Sequence, residues 1–236
     1  IADMAAINTT AHAAGALVLW DLSHSVGALP IELAADATDL AVGCTYKYLH
    51  GGPGSPAFLF VSPTLQTGLT QPIWGWFGQQ DQFAMGPDYD PVDDIGRFQT
   101  GSPPVLGLAA CAAGIRTVTE IGIDVLRQRS IALTARLIAE ADAHLIPLGF
   151  ELGSPRDAVG RGGHVLLHHP DAYRISVAMR RFAKVVGDFR QPDGLRLAPV
   201  AAYVTEAQVV EAIRRIALVV ETRRHESLEP AGARVP

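Results

Sequence analysis
The sequence reads as an α/β protein. Three short apolar runs, each followed by a polar or glycine-rich connection, have the length and bounding of buried strands. Longer stretches with helical apolar spacing come after them, and the last third mixes one strand-like run with two helical ones. The order divides the chain into a first domain over 1–115 and a connecting helix with a small carboxy-terminal α/β domain over 116–236.

The first element is a helical end over Ala5 to Ala14, with Gly15 as its stop. Ala16 to Trp20 follows as an apolar strand, and Asp21 stands at its carboxyl end, where ligands of open α/β sheets gather. Leu40 to Cys44 is the second strand and runs into Thr45-Tyr46-Lys47. Ala57 to Val61 is the third, after the loop Gly51-Gly52-Pro53-Gly54-Ser55-Pro56. Gln71 to Thr100 has no regular period and is rich in Trp, Phe, Gly, Asp and Gln, as a functional or interface loop would be.

Pro103-Pro104 opens a helix that continues through Val118, since Pro is tolerated in a first turn. A second helix covers Ile123 to Ala143, closed off by Pro147 and Gly149. A strand is expected over His164 to His168, a helix over Ala172 to Val185 and another over Thr205 to Thr222. Thr205 and Gln208 have the spacing of a helix-opening box. The tail beyond Arg223 reads as a frayed end.

Composition narrows the classes of function. With 236 residues of which 48% are hydrophobic, the chain can bury a core of its own. A net charge of -5 gives no overall basic field for nucleic acid. Cys44 and Cys111 form no CxxC pair, so no thiolate metal site or disulfide framework is indicated, and a cytoplasmic location is the default expectation. No apolar run reaches membrane-spanning length. The first ten residues contain neither a leading Met nor a signal-like segment, and the chain is expected to enter in the middle of a fold.

The most distinctive local feature is Lys47, set between Tyr46 and Tyr48 after a strand and before Gly51-Gly52-Pro53-Gly54. It reads either as a side chain snorkelling beside a glycine turn or as a nucleophilic amine able to form a Schiff base with pyridoxal phosphate. Asp21 and His24 fall near the end of the neighbouring strand. An ionised Asp there keeps a pyridine nitrogen protonated, whereas the plain alternatives are a turn cap and a buried polar contact. The glycines lack both the P-loop and the Rossmann order, so they point to neither ATP nor a dinucleotide.

Further on, Trp74-Gly75-Trp76-Phe77-Gly78 offers aromatic surface for either packing or substrate. Ser102 caps a helix or faces a phosphate. Arg161 and Arg196 each read as an exposed base beside flexible backbone, serving a surface ion pair or, for Arg196, a substrate carboxylate.

The segments Asp21 to Gly27 and Gly43 to Gly54 resemble kynureninase. Gly75-Trp76-Phe77-Gly78, Gly101 to Pro104, Arg161 to His164 and Gly187 to Pro199 continue that resemblance in order, from near the first residue to about Tyr203. It implies a fold-type-I pyridoxal-phosphate enzyme with a partial large cofactor-binding domain followed by a small α/β domain. The activity implied is hydrolysis of L-kynurenine, or its 3-hydroxy form, to anthranilate or 3-hydroxyanthranilate and L-alanine in tryptophan catabolism.

By the same resemblance Lys47 carries the cofactor and moves protons, Asp21 meets the pyridine nitrogen, His24 lies beside the ring and Tyr46 binds the phosphate. Trp76 and Ser102 reach the cofactor phosphate from the partner subunit of a homodimer with shared active sites, and Arg196 receives the substrate carboxylate. No metal is implied.

The sequence departs from the family at Gln79, where many members have His, and at Ser102, where Thr or Asn is frequent. No segment matches the family's earlier phosphate-binding loop or the aromatic residue stacked on the cofactor. A related aminotransferase or cysteine desulfurase is the rival enzyme reading. A noncatalytic binding or assembly fragment is the rival outside enzymes.

Overall fold
The computed structural model describes residues 1–84 and 86–229. Contacts divide the chain into two compact units, one of Ala2–Glu120 and one beginning at Ile121.

The first unit opens with α1 (Met4–Ala13), capped by the Asp3 carboxylate on the Ala6 N–H. Its sheet has the order β1 (Leu19–Asp21), β2 (Leu40–Cys44), β3 (Ala57–Val61), with β1 parallel and β3 antiparallel to β2. The second and third runs fall at the expected residues. The first is displaced: pairing begins at Leu19 opposite Leu40 and extends through Asp21 opposite Val42, so Asp21 lies inside the strand end. Ladder register decides this, and register is invisible in a run apolar throughout.

The expectation of buried strands is met in part by β2, whose Ala41 is fully buried, and fails for most of β1 and β3. Leu19 and Leu59, and Leu17 just before β1, are 58%, 41% and 52% exposed, because nothing among the described residues covers those positions.

Buried polar contacts tie α1 to the sheet. Asn8 accepts from Trp20 Nε1 at 2.8 Å and donates to the Asp36 carbonyl, while the buried Asp39 carboxylate meets His12 Nε2 at 2.8 Å and accepts the Val18 N–H at 2.9 Å. Burial pushes the Asp39 carboxyl up, but His12 and the Val18 N–H outweigh it and leave it below the usual value. A depressed folded value stabilises above the unfolded carboxyl range near ~3.9 and loses that stabilisation as pH falls through the folded value. We therefore expect urea stability to decline on acidification below about pH 4, and Asp39→Asn to flatten that decline.

After the short α2 (Pro63–Gln66), residues 71–100 form no strand or α-helix among those described. They are shaped by 3-10 turns at Trp76–Gly78 and Ile95–Phe98 and by a bridge from Gln79 to Pro91. The buried Arg97 gathers this loop by donating to the Gln66 carbonyl at 2.6 Å. Helix α3 (Val105–Ile121) follows, its buried positions Cys111, Gly114 and Val118 recurring at helical spacing.

The second unit begins with α4 (Ile123–His144). Its sheet has the order β4-β5-β7-β6, built from β4 (Glu151–Leu152), β5 (Val165–His168), β6 (Asp188–Arg190) and β7 (Gly194–Leu197), all neighbours antiparallel. Only the β5 strand was expected. The Gly194 to Leu197 segment is an interior strand of the sheet, where flexible backbone beside an exposed Arg had been read. Its alternation shows only once β5 and β6 pair on either side of it.

Arg161 is buried, correcting its reading as an exposed base: Nε donates to Thr134 Oγ1 at 3.1 Å and Nη1 to the carbonyls of Pro155 and Arg156. Helix α5 (Ala172–Ala178) stops earlier than expected, passing into a π-helical turn at Met179–Ala183 that Lys184 ends with φ 56°. Helix α6 (Glu206–Glu221) starts as its opening motif requires, with Thr205 and Gln208 each bonding the other's backbone N–H.

Leu133, Leu137 and Ala141 of α4, Val209, Ile213 and Ile216 of α6, and Val165, Leu167, Leu195 and Leu197 of the strands form this unit's core. Beyond Arg223 the chain is ordered through a 3-10 turn at Arg224–Ser227 that buries His225, in place of a frayed end. The remainder of the predicted tail, 230–236, lies outside the described residues.

Candidate active site
The parallel pairing of β1 with β2 brings two loops side by side at the carboxyl ends of the strands, 21–27 and 45–51. Asp21 is exposed, and its Oδ1 accepts the Ser23 N–H at 2.8 Å. The Ser23 hydroxyl and backbone hydrogen bonds hold the Asp21 carboxyl below its usual value, and the nearby charges of Lys47 and His24 add to that. The charges of Lys47 and His24 thus both act on Asp21, across a gap of up to 26 residues in sequence.

Ser23 was missed in the sequence. Its Oγ also accepts the Cys44 N–H at 3.3 Å and so joins the ends of the two strands. The signal was the Asp-x-Ser spacing, which favours a side-chain turn closing on the backbone two residues on.

The lysine loop is rigidly framed. Thr45 is buried and its hydroxyl bonds the Pro56 carbonyl and Ser55 Oγ, while the His50 and Gly51 N–H groups donate to the carbonyls of Lys47 and Thr45. Two glycines permit close approach. Gly27, φ 78°, presses on the Tyr48 carbonyl, where a Cβ would lie 2.6 Å from the oxygen, and Gly114 of α3 presses on the loop backbone at Leu49 and His50. Lys47 Nζ lies 5.5 Å from the Tyr46 ring centroid, and that ring is 52% exposed.

Trp76 and Ser102 form a second grouping. Trp76 packs edge-on against Phe77 and Phe83, and Gly75 meets the Thr100 backbone so closely that a Cβ would overlap it, setting the Trp76 turn beside the strand-like approach to Ser102. Both Trp76 and Ser102 are exposed. Gln79, the departure from His, closes the loop base: Oε1 accepts the Asp90 N–H at 2.9 Å and Nε2 donates to the Asp88 carbonyl.

Arg196 belongs to the other unit. It stands opposite Asp188 in the β6–β7 ladder, with Nε and Nη2 on the two Asp188 oxygens at 3.0 and 2.6 Å. Arg190 Nη2 reaches the same carboxylate at 2.8 Å, so the three groups sum to one positive charge. Burial pushes the Asp188 carboxyl up, but the two arginines outweigh it and hold it low. Asp188 takes the Nε side of the guanidinium and leaves N–H donors at its outer end.

Among the described residues, no group of three or more His, Cys, Asp and Glu is placed to hold a metal ion, and no single helix is long and apolar enough to cross a membrane.

An acid, an amine and an exposed phenol thus stand at the ends of adjacent strands of an α/β sheet. The donor set fits pyridoxal phosphate: Asp21 for the pyridine nitrogen, Lys47 for the carbonyl carbon, Tyr46 for the phosphate. The chain belongs to the aminotransferase class-V family, whose model matches residues 1–145 and whose members are pyridoxal-phosphate enzymes.

Residues 126–216 match the model of the kynureninase C-terminal domain. A kynureninase of Pseudomonas fluorescens is 38% identical over 221 residues, covering 94% of this chain and 53% of the relative. A cysteine desulfurase from Escherichia coli superposes with a TM-score of 0.73 at 17% identity, covering 93% of this chain and 55% of that one. An alanine–glyoxylate aminotransferase from Nostoc sp. does so with a TM-score of 0.68 at 18% identity, covering 92% and 57%. These two structures share the fold. The chain spans about half the length of the relatives it matches.

Proposed function
We propose that this chain is the lysine-bearing part of a kynureninase, cleaving L-kynurenine or its 3-hydroxy form to anthranilate or 3-hydroxyanthranilate and L-alanine. The observation that carries the proposal is the parallel pairing of β1 with β2, which sets the Asp21 loop and the Lys47 loop at neighbouring strand ends. Two features support kynureninase over the rival aminotransferase or desulfurase: the 38% identity to the Pseudomonas fluorescens relative and the matched C-terminal domain.

Pyridoxal phosphate, when bound, supplies the sink for electrons released at the amino acid. Lys47 Nζ would be the amine that holds its aldehyde carbon and would carry the proton to and from the substrate carbon. Asp21, held ionised by Ser23, would keep the pyridine nitrogen protonated, and His24 would lie beside the ring. Tyr46 donates to the phosphate. Trp76 and Ser102 would serve the phosphate of a partner subunit in a homodimer, Trp76 from the loop 71–100 and Ser102 from just beyond it. The first unit is part of the large cofactor-binding domain and the second belongs to the small domain, in a cytoplasmic enzyme.

Arg196 receives the substrate carboxylate through the donors that Asp188 leaves. Arg196→Lys keeps the charge and loses the fork, so KM for L-kynurenine is expected to rise about tenfold or more with a smaller change in kcat. An unchanged KM would remove Arg196 from the substrate.

The deciding experiment supplies the purified chain with pyridoxal phosphate and L-kynurenine and follows anthranilate fluorescence. Steady product formation supports catalysis by this chain. No product, or preferential turnover of cysteine, favours the noncatalytic or the desulfurase reading.

A further inference from the structure
The second unit contains a cavity of about 600 Å³, well inside the size range of small-molecule sites, whose lining includes neither Lys47 nor Arg196. Its inner wall is apolar and buried, made by Leu137 of α4, Leu197 of β7, and Val209 and Ile213 of α6. Leu197 follows Arg196 in β7, and successive strand side chains point to opposite faces. The cavity therefore opens on the helix-covered side of the sheet, away from the Arg196 guanidinium. Its rim carries Val186 and Tyr203, both strongly exposed apolar side chains.

The charges at this rim are unequal. Arg215 is engaged, with Nε on Glu211 Oε1 at 2.8 Å and Nη1 on the Ala183 carbonyl at 3.2 Å. Lys184 forms no ion pair among the described residues, so the lining carries one positive charge in excess. Lys184 is also held in an uncommon conformation, φ 56° and ψ 32°, as the cap of the π-helical turn, with its N–H on the Met179 carbonyl. Such a backbone is unfavourable for a residue bearing a Cβ, and both π turns and left-handed non-glycine residues gather at ligand sites.

We propose that this cavity binds a small apolar monocarboxylate, its hydrocarbon against the α4 and α6 wall and its carboxylate on Lys184. An aliphatic or aromatic body matches the lining, and a single negative charge matches the one uncompensated cation. Glu211 disfavours a dianion. The site is independent of the cofactor chemistry.

The test titrates the full 236-residue chain with sodium octanoate, following backbone amide shifts by NMR, with octanamide as the uncharged match and Lys184→Met as the variant. Lys184→Met keeps the length and apolar stem of a surface side chain, so its fold is checked by an unchanged amide spectrum elsewhere. The expected result is saturable shifts confined to 184–186 and 203–213, with affinity falling about tenfold or more for octanamide and for octanoate on the variant. The proposal is overturned by the absence of saturation, by shifts elsewhere, or by equal binding of octanamide or of the variant. Shifts of those same amides on concentrating the chain without octanoate would seat a second copy in the groove and overturn it as well.

Discussion
Lys47→Ala is expected to abolish the visible absorbance that the chain develops with pyridoxal phosphate and to lower anthranilate formation by at least about a thousandfold. The substitution removes the only amine placed beside Asp21 in the paired loops, and no neighbouring residue replaces it: Tyr46 and Tyr48 offer phenols, His24 an imidazole. The loop itself should survive, because its frame is made of backbone and Thr45 contacts that do not involve the lysine side chain. An unchanged far-ultraviolet spectrum alongside lost absorbance separates this outcome from misfolding. Retained lysine-independent product would remove Lys47 from the chemistry.

The second large effect is on stability. Gly114→Ala in the middle of α3 would gain about 1 kcal/mol from helix propensity alone. The added Cβ, however, would sit 2.3 Å from the Leu49 carbonyl oxygen and 2.5 Å from the His50 carbonyl carbon, both backbone atoms of the lysine loop. Relief requires α3 or the loop to move, and overpacking of this kind costs typically ~1–3 kcal/mol, reaching higher where only backbone can yield. We expect a net loss of about 2 kcal/mol in urea unfolding of the first unit, with weaker pyridoxal-phosphate binding because Lys47 shifts with the loop. A more stable Gly114→Ala protein would show that the contact is loose and that α3 does not set the lysine.

The two effects meet in one piece of architecture. The small-residue face of α3, Gly107, Cys111 and Gly114, lets a helix lie directly on the loops at 49–54, while Gly27 lets the Asp21 loop lie on Tyr48. Acid and amine are thus held by backbone contacts, which suits a site that must keep its geometry while a ligand exchanges.

Much of this was legible in the sequence. The runs Leu40 to Cys44 and Ala57 to Val61 are short, apolar and bounded by turn residues, and they form strands at those residues. The opening motif at Thr205 and the helical period through Ile123 to Ala143 are local signals that need nothing distant to act. Asp21, His24 and Lys47 could be nominated because strand ends are where such groups collect. Harder to see were β6 and β7, whose three and four residues become strands only by pairing with each other and with β5. The exposure of β1 and β3 was also hidden, since an apolar run reports that something covers it and not what.

What the sequence determined by itself is the set of local elements, the residue types at the strand ends and the family to which those residues belong, because propensity, capping and motif spacing act within a few residues. The tertiary structure decided the rest. Register placed Asp21 inside a strand end, close packing at Gly27 and Gly114 set the lysine loop, a cross-strand pair locked Arg196 onto Asp188, and a π turn left Lys184 in a left-handed conformation. Each of these depends on which surface a residue meets after folding, and that is settled by contacts between segments far apart in the chain.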